Sequence, residues 1–92
     1  MSVYIIASLT ADPKAIKSIE PVLKELINKS RLENGCVRYD AFLGEKSVTF
    51  VEEWTSVDAL NQHEKTIHFQ ALVLEIEKNN MGIEVNFVQS LM

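Results

Sequence analysis

The sequence predicts an α+β domain in which two helical segments cover one face of a four-stranded antiparallel sheet. Three observations carry that expectation. Apolar residues recur with a helical period in two separate stretches, one from Ile16 to Ser30 and one from Phe69 to Ile76. Four other stretches are short and β-branched or alternating, and two of them are joined by a tight turn. Their order, β-α-β-β-α-β, is closed most simply by one sheet with both helices on the same side, a ferredoxin-like arrangement.

Val3 to Leu9 is a near-continuous apolar run, as in strands covered on both faces. Asp12-Pro13 then starts a helix, with Asp12 as cap and Pro13 in the first helical position. Ile16, Ile19, Leu23, Leu26, Ile27 and Ser30 form its buried stripe. Pro21 removes a backbone donor, so it kinks this helix or marks a late start to its regular part. Asn34-Gly35 ends it, with Gly35 free to take positive φ. Cys36 to Leu43 and Val48 to Trp54 are two strands of a hairpin turning through Gly44-Glu45-Lys46-Ser47. Thr55-Ser56-Val57-Asp58 resembles a capping box led by Thr55, followed by a short helix to about Gln62. A second helical stretch begins near Thr66 and stops at Asn79-Asn80-Met81-Gly82. Ile83 to Leu91 alternates and reads as the last strand.

Ninety-two residues make one domain, spanning residues 1–92, with no room for a second core. The chain is 47% hydrophobic and 24% charged, which excludes a disordered segment. Its net charge of −4 comes from scattered acids and there is no basic stripe, so nucleic acid is not an expected partner. One cysteine allows neither an internal disulfide nor a thiolate metal site and fits a reducing compartment. No apolar run reaches the ~20 residues of a membrane span, and Met1 to Ile6 lacks a basic leader. A soluble, cytoplasmic protein with no membrane partner is the expectation.

The strands carry apolar residues on both faces. Val3, Ile5, Ala7 and Leu9 oppose Tyr4 and Ile6, and Val48 and Phe50 oppose Val51. Helices on one side leave the other as a wet apolar face, which a second copy packed sheet to sheet would cover. A homodimer is therefore expected, enclosing an apolar cavity.

Phe50, Glu52 and Trp54 share one side of a strand, a carboxylate between two aromatics. If that side is buried, Glu52 is desolvated and suited to acid–base work; otherwise it pairs with a cation or a backbone donor. His63 and His68 stand five apart, one residue too far to share a face of a continuous helix, which argues against a zinc site. His63 either packs at a helix junction or reaches a pocket as a neutral base, and His68 is read as structural. Tyr39 is placed on the face of Val37, Ala41 and Leu43 as a core tyrosine, and Cys36 as a packing residue.

The string Ser30-Arg31-Leu32-Glu33-Asn34-Gly35-Cys36-Val37-Arg38-Tyr39 resembles the SR-x-E-x-GC-x-x-Y segment of the antibiotic biosynthesis monooxygenase family. Glu52, Trp54, Ser56, Ala59-Leu60, His63 and His68-Phe69 are similar to its second signature. The resemblance implies a ferredoxin-like fold paired into a dimeric α/β barrel. It also implies oxidation of a small aromatic or quinol-like ligand without metal, flavin or haem. His63, Glu52, Trp54 and Tyr39 would be catalytic, and Phe50, His68 and Phe69 would bind substrate. Glu52 or His63 would take the proton, Tyr39 would hold an oxygen, and Phe50 and Trp54 would line the cavity. Haem-degrading relatives use an asparagine in the first strand and a histidine on the later helix, where this chain has Ala7 and Val73. Other relatives isomerise a small phosphorylated dicarbonyl, and a cation facing the pocket would favour that activity. Arg38 points away from Tyr39's face. A non-catalytic ligand-binding or stress-response module is the remaining alternative.

Overall fold

The computed structural model describes residues 2–92. Its elements are β1 (Val3–Thr10), α1 (Pro13–Ser18), α2 (Glu20–Arg31), β2 (Cys36–Leu43), β3 (Ser47–Trp54), α3 (Val57–Glu64), α4 (Ile67–Lys78) and β4 (Gly82–Val88). The sheet runs in the order β2-β3-β1-β4, every neighbouring pair antiparallel. This is the expected ferredoxin-like topology. Among the described residues no helix is long and apolar enough to cross a membrane.

The helical stretch read from Ile16 to Ser30 is two helices. It breaks at Ile19, which closes α1 while its carbonyl accepts from Leu23 at 3.0 Å. Pro21 therefore falls at the start of α2, where its missing N–H costs nothing, so a late start rather than a kink describes its effect. The later helices are separate, as expected: α3 ends at Glu64, and Thr66 Oγ1 takes the amide of Phe69 at 3.2 Å and caps α4. Ser56, not Thr55, caps α3 by accepting from the Ala59 amide at 3.1 Å. Thr55 lies just beyond β3, its amide bonded to the Gly35 carbonyl at 2.8 Å. The final strand stops at Val88, three residues before the expected end.

The core lies between the sheet and the helices. Ile5, Ala7 and Leu9 from β1 and Val48, Phe50 and Trp54 from β3 meet Leu23 and Leu26 of α2, Leu60 of α3 and Leu72 of α4. Side-chain alternation sends Tyr4, Ile6 and Val51 to the opposite, helix-free face. Phe42 and Val88 join them there, and so do Glu53, Asp40 and Glu84, so that face is an apolar strip edged with charge rather than apolar throughout. On the covered side the helices lie over β1 to β3. Ile83, Val85 and Phe87 of β4 stay 47%, 53% and 67% exposed, although they point to the helix side.

A bulge in β2 between Cys36 and Arg38 changes the parity of that strand. Tyr39 consequently opposes Glu52 and is buried, whereas Val37 is 55% exposed. The two do not share a face, contrary to the alternation expected from sequence.

Candidate active site

The inner face of β3 alternates Val48, Phe50, Glu52 and Trp54, all buried. Between this face and α3–α4 lies a cavity of about 400 Å³. Its walls are mostly apolar: Ile5 and Ala7 of β1, Phe50 of β3, Leu60, Phe69 and Leu72 of the helices, and Ile83 and Val85 where β4 is uncovered. Tyr39, Glu52, His63, Glu64 and Glu77 supply its polar groups. The pocket is thus formed by one chain on the helix-covered side of the sheet. It is not a space walled off by a second sheet, as the sequence had suggested.

His63 stands in the last turn of α3 with only 1% of its side chain exposed. Its ring is 4.5 Å from that of Trp54, 5.0 Å from Phe69 and 5.4 Å from Tyr39, centroid to centroid. Nδ1 lies 2.7 Å from Glu33 Oε2. An ionised carboxylate only accepts, so Nδ1 carries the proton in the neutral ring and Nε2 keeps a free lone pair. Nε2 is buried with no hydrogen-bond partner. Burial holds the His63 pKa below its usual value, against the opposing pull of Glu33, so the neutral ring is favoured at neutral pH.

Glu52 is also buried, and its carboxyl is pushed up to about 7, chiefly by burial. The Trp54 indole donates to its Oε1 at 2.9 Å and partly offsets that rise. Tyr39 is held well above its ordinary range, again by burial first, and stays a phenol that can donate. The Cys36 thiol is pushed up to about 11 by burial, so it is no ready nucleophile.

Of the residues singled out from sequence, Tyr39, Phe50, Glu52, His63 and Phe69 line the cavity. Trp54 and His68 do not. Trp54 is fully buried behind Glu52 and His63 and supports both, so it is not a cavity wall. His68 points away and reaches Glu33 Oε2 through Nε2 at 2.7 Å. The helix break at Thr66 explains this: His63 and His68 belong to different helices, and their rings lie 6.0 Å apart rather than on divergent faces. Glu33, which unites them, was present in the sequence only as one letter of a motif. No local pattern ties it to residues thirty or thirty-five positions away.

Glu33, His63 and His68 offer three potential metal-ligand atoms within 4.8 Å of one another. Both ring nitrogens, however, sit at hydrogen-bond distance from a single carboxylate oxygen, and two N–H donors account for that geometry. A zinc ion with bonds of about 2.0–2.2 Å would have to push each ring nitrogen away from the carboxylate oxygen.

The antibiotic biosynthesis monooxygenase model matches residues 2–74. Among solved structures, an antibiotic biosynthesis monooxygenase is 31% identical, with 98% of this chain and 99% of that chain covered and a TM-score of 0.88. The protein PA3566 from Pseudomonas aeruginosa is 26% identical over 99% and 95% of the two chains, at a TM-score of 0.87. Rv0793 from Mycobacterium tuberculosis, 22% identical over 100% and 97%, shares the fold at 0.88. No curated protein matches the sequence. With the model covering most of its length, the chain belongs to the antibiotic biosynthesis monooxygenase family.

Proposed function

We propose that this chain is a cofactor-independent monooxygenase acting on a small aromatic or quinol-like compound held in the pocket. The observation that carries the reading is a neutral imidazole in the lining of a mostly apolar cavity, oriented by the carboxylate of Glu33, with its Nε2 buried and unpaired among the described residues. That is the arrangement of a general base kept out of water.

The chemistry asks for a substrate that is its own reductant. His63 Nε2 takes an acidic proton and Glu33 stabilises the imidazolium that forms, while Tyr39 donates to the oxygen on which the substrate's charge develops. The electron-rich anion passes one electron to O2, and the two radicals combine in a new C–O bond. The peroxide anion takes back the proton from His63, and loss of water from the resulting hydroperoxide converts a CH2 and O2 into C=O and H2O, so all four electrons that O2 takes up come from the substrate. Dry walls protect the anion and the radical pair from water.

The isomerase alternative needs a cation to receive a phosphate, and no lysine or arginine lines this pocket among the described residues. For the assembly we favour a homodimer through the strip of Tyr4, Ile6, Phe42, Val51 and Val88 on the helix-free face, since that strip is too apolar to leave wet. The test of the activity is oxygen consumption with a panel of polycyclic quinols, with the product mass followed under labelled O2. Incorporation of one labelled oxygen, lost in His63→Ala, supports the reading. Turnover without O2, or none across the panel, overturns it.

A further inference from the structure

The charge of the pocket wall is one-sided. Glu52 lines it from β3, Glu64 from the end of α3 and Glu77 from the end of α4, and no lysine or arginine faces it among the described residues. Glu52 is the critical member, because it is 7% exposed and joins no ion pair among the described residues. Its one side-chain donor is the Trp54 indole, on Oε1, and none reaches Oε2. The nearby carboxylates of Glu64 and Glu33 add like charge, which disfavours ionisation of Glu52 further. A buried carboxylate is ordinarily matched by a cation or several donors, and this fold supplies one donor.

We propose that the missing partner comes with the ligand: the pocket selects an aromatic compound bearing a protonated amine, seated with its nitrogen toward Glu52 and Glu64. The ring then lies against Phe50, Phe69 and Tyr39, whose faces suit an aromatic body. A carboxylate or phosphate arm is rejected, because it would meet a lining that holds three glutamates and no lysine or arginine among the described residues. This rests on the reading that the pocket is the substrate site and adds the charge class of what it accepts. The base is left to His63, and Glu52 becomes a specificity-determining residue.

The experiment is calorimetric titration of the protein with three hydroxynaphthalenes that differ in one arm: aminomethyl, hydroxymethyl or carboxymethyl. The aminomethyl compound is expected to bind about tenfold or more tightly than the hydroxymethyl one, as for one partly desolvated charge pair, and the carboxymethyl compound most weakly. Glu52→Gln keeps the shape and an acceptor for Trp54, and it should bring the amine preference to near unity. Glu64→Gln, at an exposed position, should reduce the preference without threatening the fold. Equal binding of all three compounds, tighter binding of the carboxylate, or an amine preference unchanged in both variants overturns the proposal while leaving the pocket as a binding site. Binding of none overturns both. Amine-selective binding without oxygen consumption upholds the charge class and removes the oxygenase reading.

Discussion

The carboxylate of Glu33 lies 2.7 Å from Nδ1 of His63, across thirty residues of sequence. Glu33 comes from the turn after α2 and His63 from the last turn of α3, so the contact exists only in the folded chain. It fixes which ring nitrogen carries the proton and therefore which one keeps a free lone pair. Nitrogen-15 NMR of the imidazole should show Nδ1 protonated and Nε2 bare at neutral pH in the native protein. In Glu33→Ala the ring should sample both tautomers. If turnover uses His63 as base, Glu33→Ala lowers kcat with little change in KM, whereas His63→Ala costs the whole base contribution, about 10²–10⁴-fold. A native ring protonated on Nε2 instead would remove His63 from the role of base.

Glu52 makes stability depend on pH in a direction opposite to most carboxylates. Its folded pKa is raised from 4.5 to about 7 by burial, so between these values the folded chain binds more protons than the unfolded one. Stability should fall as pH rises through that window, and the full cost, on the order of 3 kcal/mol, should be present above it. His63 acts the other way: its lowered pKa makes the folded chain lose stability as pH falls below its ordinary value of 6.5. Comparing native protein with Glu52→Gln in urea unfolding from pH 4.5 to 8 cancels the His63 contribution. The variant should become the more stable of the two toward pH 8. A constant difference across the range would mean that Glu52 titrates normally.

Gly35 takes φ +90°, and a Cβ built there would sit 2.6 Å from Ala59 Cβ and 2.9 Å from Thr55 Oγ1. Two costs add in Gly35→Ala: a left-handed backbone for a residue with a side chain, and a clash with the first turn of α3. A loss of about 2–4 kcal/mol in chemical denaturation is expected. Ala59→Gly in the same chain should restore part of it by removing the nearer contact, leaving the Thr55 contact and the backbone cost. Full recovery would show that φ contributes nothing.

The sheet and its helical cover were legible because their signals are local. Alternation, helical periodicity and the Asp12-Pro13 start each depend on a few adjacent residues, and every element was found except the division of the first helix into α1 and α2. Errors came where tertiary context chooses between local options. Thr55 and Ser56 are equally good caps by type, and the pairing of Thr55 with Gly35 decides between them. The bulge after Cys36 has no local signature, yet it reverses the facing of Val37 relative to Tyr39. The same limit governs the site. Phe50 and Glu52 could be placed by strand parity, but Glu33 meets His63 and His68 only in the folded protein. The break expected at Thr66 puts the two rings on separate helices, so the divergence they would have on one continuous helix does not apply.

The helix-free face offers the cleanest test of assembly. Ile6 stands on the central strand β1 opposite Val51, and Tyr4, Phe42 and Val88 extend the apolar strip on either side. Burying such a strip against its twin would contribute favourably at about 25 cal/mol per Å², and one lysine at its centre would have to be desolvated against apolar atoms. Ile6→Lys should therefore shift the mass in light scattering from dimer to monomer and lower the thermal midpoint. The pocket is built on the opposite side from residues of a single chain, so the monomeric variant should keep its affinity for a neutral aromatic ligand. A native protein that is monomeric at micromolar concentration would refute pairing through this face. A dimer indifferent to Ile6→Lys would place the contact elsewhere, with the exposed Ile83, Val85 and Phe87 of β4 the next surface to substitute.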